Sequence, residues 1–389
     1  MLRWFSALLA LSASATAFAA TIPLPPPPPI QAAAYVLMDY QTGRILAEKN
    51  SAAHHAPAST TKMMTAYVVF QDLASGRITL DTKFTVSKKA WQQPGSRMFI
   101  KPRTEISVND LLQGLLIPSG NDAAMALAEG VAGTEASFVN MMNADARALG
   151  MTNTHYADPA GLASEDYVSA ADLAILARAL IRDFPQYYHY FSQKEFTWNG
   201  IHQTNWNKLL WLDPNVDGLK TGYTDQAGYC LAASARRGDQ RMIAVVMAVP
   251  GVADGNATTK GNMANYRHLA QVNESLLDYG FRFFQTHKLY DAGKVLAKLR
   301  VWKGAEKYVQ AGLAAPLYVT VASGHFKDLK IETHTTDPVQ APVAATQKLG
   351  EVTVSYDGKT LAEAPLVASD AVPKGGFWAW LRDTVLGWF

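Results

Sequence analysis

The chain has 389 residues, of which 49% are hydrophobic and 17% are charged. This length exceeds the usual limit for one hydrophobic core, so we expect at least two domains, and a formal net charge of +2 argues against nucleic-acid binding. The single cysteine, Cys230, excludes an intrachain disulfide and any zinc site built from several thiolates. Because Cys230 lies in an apolar run, we expect it to be a buried core residue.

The first 19 residues are predicted to be a secretory signal peptide. Arg3 precedes a short apolar stretch, and Ala17 and Ala19 occupy the small-residue positions of a cleavage site, so cleavage is expected after Ala19. The alternative is an uncleaved hydrophobic anchor, which the short apolar run disfavours. Residues 20–31 are rich in proline and predict an extended polyproline II linker; a proline-rich ligand for a recognition domain is the alternative.

After the linker, the pattern predicts an α/β domain. Residues 33–40 and 45–47 are typical of two strands joined by a turn. Pro57 is typical of the start of a helix, and the apolar residues 63–70 cover every face of the helix that follows. A helix that is apolar all round is normally buried, so we expect this one in the middle of the domain.

At the start of this helix, Ser59 and Lys62 form a Ser-x-x-Lys pair on one face, one turn apart. Burial and a second nearby cation lower the proton affinity of a lysine, and a neutral lysine can take the proton of a serine hydroxyl. The backbone N–H of Ser59 lies at the positive end of the helix, where it can face a developing oxyanion. The pair predicts a serine nucleophile with a lysine base, although chance matches to this spacing are common.

Two further motifs follow in the same region. Ser119-Gly120-Asn121 stands before an alanine-rich helix over residues 122–130, where an ordinary turn and helix cap is the alternative interpretation. Lys220-Thr221-Gly222 precedes two apolar stretches, residues 229–235 and 242–249, that predict adjacent antiparallel strands. We expect Gly222 to remove a side chain where a substrate backbone approaches the strand edge.

Together, these three motifs are the set found in penicillin-binding proteins and class A β-lactamases. From Tyr35 to about Val249 the chain resembles the low-molecular-mass penicillin-binding proteins that are serine-type D-alanyl-D-alanine carboxypeptidases. The resemblance rests on residues 57–65, 95–99, 119–123 and 217–222, and later on residues 278–284 and 301–304. It implies that residues 32–287 form an α/β (α+β) serine β-lactamase/transpeptidase-like domain with an antiparallel sheet and a helical subdomain.

The same resemblance implies a two-step acyl transfer on the stem peptide of peptidoglycan, with penicillin acylating the same serine. Ser59 is expected to attack the carbonyl between two D-alanines, with Lys62 as base and with the backbone N–H groups of Ser59 and Tyr223 as the oxyanion hole. Ser119 is expected to pass the proton to the leaving amine. Asn121 is expected to hold the peptide amide, Thr221 to bind the terminal carboxylate, and Lys220 to stabilise the developing negative charge. Gly222 is also expected to be a substrate-binding residue. Lys220 is also expected to keep Lys62 neutral by like-charge repulsion.

One position departs from the family pattern. Members place an arginine for the substrate carboxylate seven positions before a Leu-Leu pair, which here is Leu276-Leu277, and that position is Leu269. The nearest candidate is Arg267, for which a solvated helix residue is the alternative. The identity of the residue that supplies the cation for the substrate carboxylate therefore stays open.

Rival functions differ in the residues they require. A class A β-lactamase uses a loop glutamate to activate water, and Glu165 is the candidate for that role. The residues after Glu165 lack the lactamase pattern, so we expect it to be a solvated loop residue. Two further rivals are a peptidoglycan endopeptidase and a catalytically silent cell-wall-binding protein. The chain has neither a His-Glu-x-x-His spacing nor a glycine-rich phosphate loop, so no metal or cofactor is expected.

After residue 287, the pattern changes to alternating strands. Residues 288–370 predict a small all-β sandwich, a spacer or a docking module for another cell-wall protein, with Asp357-Gly358 as a hairpin turn and residues 365–367 as an edge segment. Residues 371–389 predict an amphipathic helix at the membrane interface, with five residues on its apolar face: Phe377, Trp380, Leu381, Val385 and Trp388. A terminal helix docked on the protein's own core is the alternative. The expected location is the periplasm, with peripheral attachment to the inner membrane.

Overall fold

The computed structural model describes residues 24–252 and 259–386. The predicted signal peptide, Pro23, Trp388 and Phe389 lie outside these residues, as does the side chain of Trp380. Within the described part, a mixed helix-and-sheet region comes first and a region of strands follows it.

The first region contains nine strands and eight α-helices. Its strands are β1 Ala34–Asp39, β2 Ile45–Lys49, β3 Lys83–Thr85, β4 Glu105–Ser107, β5 Glu195–Trp198, β6 Ile201–Thr204, β7 Val216–Thr224, β8 Gly228–Arg237 and β9 Gln240–Val249. Its helices are α1 Lys62–Ala74, α2 Lys88–Trp91, α3 Val108–Leu116, α4 Asn121–Ala132, α5 Glu135–Ala148, α6 Ala170–Asp183, α7 Leu209–Leu212 and α8 Thr259–Phe283.

Five of these strands form one antiparallel sheet in the order β2-β1-β9-β8-β7, which leaves β7 at an edge. The strands β1, β8 and β9 are buried on both faces because helices pack against each side of the sheet. One apolar core joins the sheet to α1, α4 and α6, and a second joins its other face to α8. The predicted burial of the helix over residues 63–70 is confirmed, since each of those residues is buried.

The second region consists of strands and one short 3₁₀ helix, Phe326–Asp328, and is followed by one α-helix. Its strands are β10 Phe284–Tyr290, β11 Val295–Trp302, β12 Tyr308–Leu313, β13 Leu317–Ala322, β14 Lys330–Thr335, β15 Val339–Gln340, β16 Lys348–Tyr356 and β17 Lys359–Ala368, and the helix is α9 Phe377–Leu386. The strands form a two-stranded sheet, β10-β13, and a six-stranded sheet, β14-β16-β17-β12-β11-β15. Valine, leucine and alanine side chains fill the core of this β domain.

The hairpin between β16 and β17 turns at Asp357 and Gly358, with φ angles of 48° and 71°. Positive φ at both central residues is typical of a tight hairpin turn, which explains this residue pair. The prediction that residues 365–367 form an edge segment is wrong, since β17 lies between β16 and β12. Pro365 is accommodated there because it opposes Glu351 of β16, while the pairing with β12 starts one residue later, at Leu366.

Hydroxyl and carboxylate groups join the β domain to the first region. Thr320 of β13 lies 2.8 Å from the hydroxyl of Thr42 and 3.1 Å from that of Thr286. Thr286 donates to Asp39 at 2.6 Å, and Arg44 donates to the carbonyl of Thr320 at 2.5 Å. The end of β1 and the turn after it therefore hold the β domain through a partly buried polar network.

Candidate active site

Ser59 lies in a single-turn 3₁₀ helix, Ala58–Thr61, that leads directly into α1. Lys62, the first residue of α1, is fully buried, and its Nζ donates to Ser59 Oγ at 2.8 Å. The same Nζ donates to Asn121 Oδ1 at 2.7 Å and to the carbonyl of Ala160 at 2.9 Å. Two segments that are distant in sequence, at Asn121 and Ala160, thus hold the Lys62 amine against the serine hydroxyl.

Burial lowers the pKa of Lys62 from 10.5 to about 7, although the negative charges of Asp158 and Asp122 act in the opposite direction. Burial is also the main reason why the pKa of Lys220 falls well below its usual range, and the charge of Lys62 lowers it further. The two buried lysines repel each other when both are protonated. Desolvation is therefore what lowers the pKa of Lys62, and the predicted like-charge repulsion lowers the pKa of Lys220 instead of that of Lys62.

Asn121 begins α4 and connects Lys62 to a neighbouring loop. Its Nδ2 donates to the carbonyl of Pro94 at 2.6 Å, and its backbone N–H donates to the carbonyl of Ser96 at 2.8 Å. The next residue, Asp122, accepts the backbone N–H groups of Met98, Phe99 and Ile100 at 2.8, 2.9 and 3.2 Å. The start of α4 therefore positions Lys62 and orders the loop over residues 94–100.

Asp158 is a second acidic residue that sequence reasoning missed. Its carboxylate accepts the backbone N–H groups of Ala160, Gly161 and Leu162 at 2.5, 2.6 and 2.7 Å, and that of Ala163 as well. This loop presents the carbonyl of Ala160 to Lys62. In the sequence, Asp-Pro-Ala-Gly indicates only a turn, because nothing local shows that the turn packs against a helix start about 100 residues earlier.

Ser119 has a left-handed backbone, with φ 64°, and its buried Oγ has no hydrogen-bond partner among the described residues. A left-handed backbone conformation costs free energy for a residue with a side chain. Because such strained residues cluster at functional sites, this conformation supports a functional role for Ser119. The preceding carbonyl, that of Pro118, accepts a hydrogen bond from Trp206 Nε1 at 3.2 Å. An unpartnered hydroxyl beside Asn121 is available to a substrate.

Lys220, Thr221 and Gly222 lie on β7, the edge strand that faces the 3₁₀ helix. A Cβ built on Gly222 would lie 2.9 Å from the carbonyl oxygen of Pro57 and 3.1 Å from the backbone nitrogen of Ser59. The glycine therefore allows the backbone of the segment around Ser59 to approach the strand. The expectation that a substrate backbone also approaches β7 at Gly222 stays a prediction.

Of the other expected site residues, Thr221 is buried, and its carbonyl accepts from Lys220 Nζ at 2.9 Å. Tyr223 is 41% exposed and stacks on Tyr229, with 4.3 Å between ring centroids. Arg267 is exposed on α8, in a groove with Lys208 and Trp211.

Leu269, where the family pattern would place an arginine, is fully buried in the core beneath α8. Glu165 is exposed at the tip of its loop, as a solvated residue would be. Cys230 is buried in the sheet, and burial raises the pKa of its thiol to about 11. Among the residues that the structure describes, no group of three His, Cys, Asp or Glu side chains could hold a metal ion.

Comparison with known families shows which family the chain belongs to. A profile described as D-alanyl-D-alanine carboxypeptidase, peptidase family S11, matches residues 20–251. The chain belongs to this family of serine hydrolases. A second profile, the C-terminal domain of penicillin-binding protein 5, matches residues 284–374 and so covers the β domain.

Individual relatives agree with this assignment over nearly the whole chain. The chain is 40% identical to D-alanyl-D-alanine carboxypeptidase DacA of Escherichia coli K12, covering 92% of this chain and 87% of that protein. It is 39% identical to DacA of Haemophilus influenzae, covering 99% and 97%. Crystal structures of penicillin binding protein 5 from Haemophilus influenzae superpose with a TM-score of 0.82 at 40% identity, covering 90% of this chain and 99% of that one. The predicted penicillin-binding fold with a C-terminal β domain is confirmed.

Proposed function

We propose that this carboxypeptidase removes the terminal D-alanine from peptidoglycan stem pentapeptides through an acyl-enzyme on Ser59. The observation that carries the proposal is the 2.8 Å contact between Ser59 Oγ and a buried Lys62 whose pKa is about 7. At neutral pH, a large fraction of Lys62 is unprotonated, so Nζ can take the serine proton as Oγ attacks the carbonyl.

The oxyanion would be held by the backbone N–H groups of Ser59 and Tyr223. The close approach of Gly222 to the backbone nitrogen of Ser59 supports this role, because it brings the residue after Gly222 next to the nucleophile. As an edge strand, β7 also offers unpaired backbone groups to an extended peptide. The substrate would then lie along β7 with its reacting carbonyl above Ser59.

Ser119 would hand the proton to the leaving amine, since its buried hydroxyl has no partner among the described residues. Thr221 would bind the terminal carboxylate, with Arg267 as the candidate cation, and Lys220 would stabilise the negative charge that develops during the reaction. Asn121 is already bonded to Lys62 and Pro94, so we assign it mainly to positioning the base, with its remaining acceptor capacity facing the substrate amide. Water would then hydrolyse the ester and free Ser59.

The decisive test uses purified protein, a fluorescent penicillin and a stem pentapeptide. We expect covalent labelling at Ser59 and release of D-alanine, and we expect Ser59→Ala to abolish both. Glu165→Ala is the matched control, because this exposed loop residue is not assigned to the site. Rapid turnover of penicillin without D-alanine release would instead establish a β-lactamase, and neither labelling nor release would establish a catalytically silent wall-binding protein.

We propose further that the protein is exported to the periplasm and that α9 lies on the inner membrane surface. Phe377, Leu381 and Val385 share one face of α9 and are 66, 37 and 46% exposed, whereas Asp383 on the other face is buried against the β domain. Among the described residues, no helix is long and apolar enough to cross a membrane. The β domain would then act as a spacer above the surface, or as a docking module for another cell-wall protein.

Deleting residues 377–389 tests the attachment. The truncated protein should move from the membrane fraction to the soluble fraction while it keeps its penicillin labelling, because Ser59 lies in the other domain. Unchanged partition would contradict the membrane role of α9. Substituting Phe377 and Leu381 together by serine should give the same release, with substitution of the exposed Asp370 as the control.

A further inference from the structure

Positive charge in the β domain is concentrated at the end that holds α9. Residues 298–308, from the second half of β11 to the start of β12, and residues 371–386 together contain six lysines and arginines and two acids. Residues 284–297 and 309–370 together contain six lysines and eight acids. The balance is therefore +4 at the end that holds α9 and −2 over the remainder.

The fold brings the two basic segments together, although they are distant in sequence. Gly304, in the turn after β11, forms an antiparallel bridge with Lys374. Asp383 of α9 accepts the backbone N–H of Lys303 at 2.6 Å and a side-chain N–H of Arg300 at 3.3 Å. The turn after β11 and α9 therefore form one surface. We call its cations the basic cluster: Lys298, Arg300, Lys303, Lys307, Lys374 and Arg382.

Most of the charge in the basic cluster is not neutralised. One carboxylate, that of Asp383, is shared by Arg300 and Arg382 at 3.3 and 2.8 Å. The four lysines of the cluster form no ion pair with a carboxylate of the residues that the structure describes. Lys298, Lys307 and Lys374 are exposed, so this end of the β domain presents an excess of positive charge to the solvent.

Aromatic rings lie beside two of these cations on the face of β11 and β12 that points away from the core. The guanidinium carbon of Arg300 lies 4.1 Å from the ring centroid of Trp302, and Lys298 Nζ lies 4.7 Å from that of Tyr308. Tyr308 is 52% exposed. Tryptophan, tyrosine and basic side chains are the residues that hold proteins at the headgroup level of a bilayer, so the composition of this face fits a membrane interface.

The helix α9 lacks this charge, and its packing places the basic cluster close to its exposed face. Arg382 is its only cation, and Asp383 offsets it. Phe377 and Trp378 of α9 are exposed, whereas Asp383 is buried against the β domain. A helix is about 10 Å wide with its side chains, close to the distance over which a charge acts at physiological salt. Cations that flank α9 therefore act on any surface that its exposed face touches.

We infer that the basic cluster binds the headgroups of anionic phospholipids, so that the β domain selects a negatively charged membrane surface while α9 supplies the apolar contact. This inference rests on the proposed attachment of α9 to a membrane. A carboxylate-rich wall polymer would also complement the charge of the cluster, but it offers no apolar phase for the exposed side chains of α9. A lipid surface accommodates both the cations and the apolar side chains.

Flotation of residues 20–389, the product of the predicted cleavage, with lipid vesicles tests the inference. We expect binding to vesicles that contain phosphatidylglycerol to be about 10-fold tighter than binding to vesicles of phosphatidylcholine alone. Salt at about 1 M should remove most of this difference, because it screens charges near the surface.

The double variant Lys298→Gln/Lys307→Gln should lose most of the preference for phosphatidylglycerol. Its binding to phosphatidylcholine and its penicillin labelling should stay unchanged. Lys327→Gln/Lys359→Gln is the matched control, because it removes the same charge from two exposed lysines of the β domain outside the cluster. Lys359 lies at the turn between β16 and β17, and β17 pairs with β12 only at its other end, Leu366–Ala368.

Three outcomes would contradict the inference in different ways. If the protein floats equally with both kinds of vesicle, or if the control variant loses as much binding as the cluster variant, the basic cluster does not select anionic lipid. If the cluster variant sediments less with purified peptidoglycan but floats normally, the cluster binds the wall polymer instead. If the unaltered protein floats with neither kind of vesicle, the proposed attachment of α9 itself fails and the inference fails with it.

Discussion

The catalytic domain, which is the first region from β1 to α8, and the β domain differ in how much charge they bury. Around Ser59, the catalytic domain buries two lysines, Lys62 and Lys220, together with Asp122. Among the described residues from Phe284 onward, the only buried polar or charged side chains are Thr320 and Asp383. Thr320 touches the catalytic domain and Asp383 touches the β domain from α9, so each lies at a junction.

This difference distinguishes a domain that holds ionisable groups in altered protonation states from a domain that is stabilised by apolar packing. Burying a charge costs free energy unless hydrogen bonds and opposite charges offset the cost, so a cluster of such groups is retained where the altered pKa is used. An apolar core of valine, leucine and alanine carries no such cost and holds a β domain together by packing alone. The catalytic domain should therefore respond to substitution through its activity, and the β domain through local stability.

The largest effect is expected from Gly222→Ala. The new methyl group would lie 2.9 Å from the carbonyl oxygen of Pro57 and 3.1 Å from the backbone nitrogen of Ser59, which should push Ser59 away from β7. Because a misplacement of about 1 Å between reacting groups can cost ~100-fold in rate, we expect a loss of up to that size. Penicillin acylation kinetics measure it, and Gly376→Ala, with no atom within 4 Å of its added methyl, is the control. Acylation at the normal rate would show that this contact does not position Ser59.

A smaller effect is expected in the pH dependence of acylation. The rate should rise with pH and reach half its plateau near pH 7, because Lys62, the proposed base, can accept a proton only after losing its own and its pKa is about 7. Asp158→Asn should move this midpoint to lower pH, since the charge of Asp158 raises the pKa of Lys62.

Stopped-flow acylation by a chromogenic penicillin gives both profiles, and Glu165→Gln, in the same loop, should leave the midpoint unchanged. A rate that does not vary between about pH 5 and pH 9 would exclude Lys62 as the titrating base. A midpoint that moves upward in Asp158→Asn would contradict the assigned electrostatics.

The smallest effect on activity is expected at the other junction. Asp383 accepts the backbone N–H of Lys303 at 2.6 Å and side-chain N–H groups of Arg300 and Arg382 at 3.3 and 2.8 Å. Asp383→Ala should destabilise the packing of α9 by about 1–3 kcal/mol and leave penicillin acylation unchanged. Limited proteolysis of the C-terminal segment measures the first effect, with Asp370→Ala as the control.

The contribution of Asp383 should also depend on pH in a defined direction. Hydrogen bonds from Arg382 lower its pKa from 3.8 to about 2 in spite of burial. A carboxyl group whose pKa is lowered by folding stabilises the fold at pH values above its unfolded-state pKa. That contribution is lost as the pH falls toward 2. Protection of α9 from an acid-active protease should therefore fall over this range, and an equal loss in Asp383→Ala would contradict the assignment.

Several features were predictable from sequence because they depend on neighbours along the chain. The spacing of Ser59 and Lys62 places both on one helical face whatever surrounds the helix, and the Asp357-Gly358 pair specifies its own turn. Other features were not predictable because they depend on distant segments. Asp158 was missed because the residues around it indicate only a turn. The position of Pro365 was mispredicted because the residues of β17 do not indicate that this strand pairs with β12.

By itself, the sequence determined which groups can carry out the chemistry: a serine, a lysine at helical spacing and a Lys-Thr-Gly strand, embedded in patterns that resemble one family. Only the tertiary structure decided how those groups behave. Asn121 and Ala160, which accept hydrogen bonds from Lys62, lie 59 and 98 positions away from it in the chain. Their packing excludes the water that would keep the lysine protonated. Proton affinity follows from burial, and burial is a property of the whole fold.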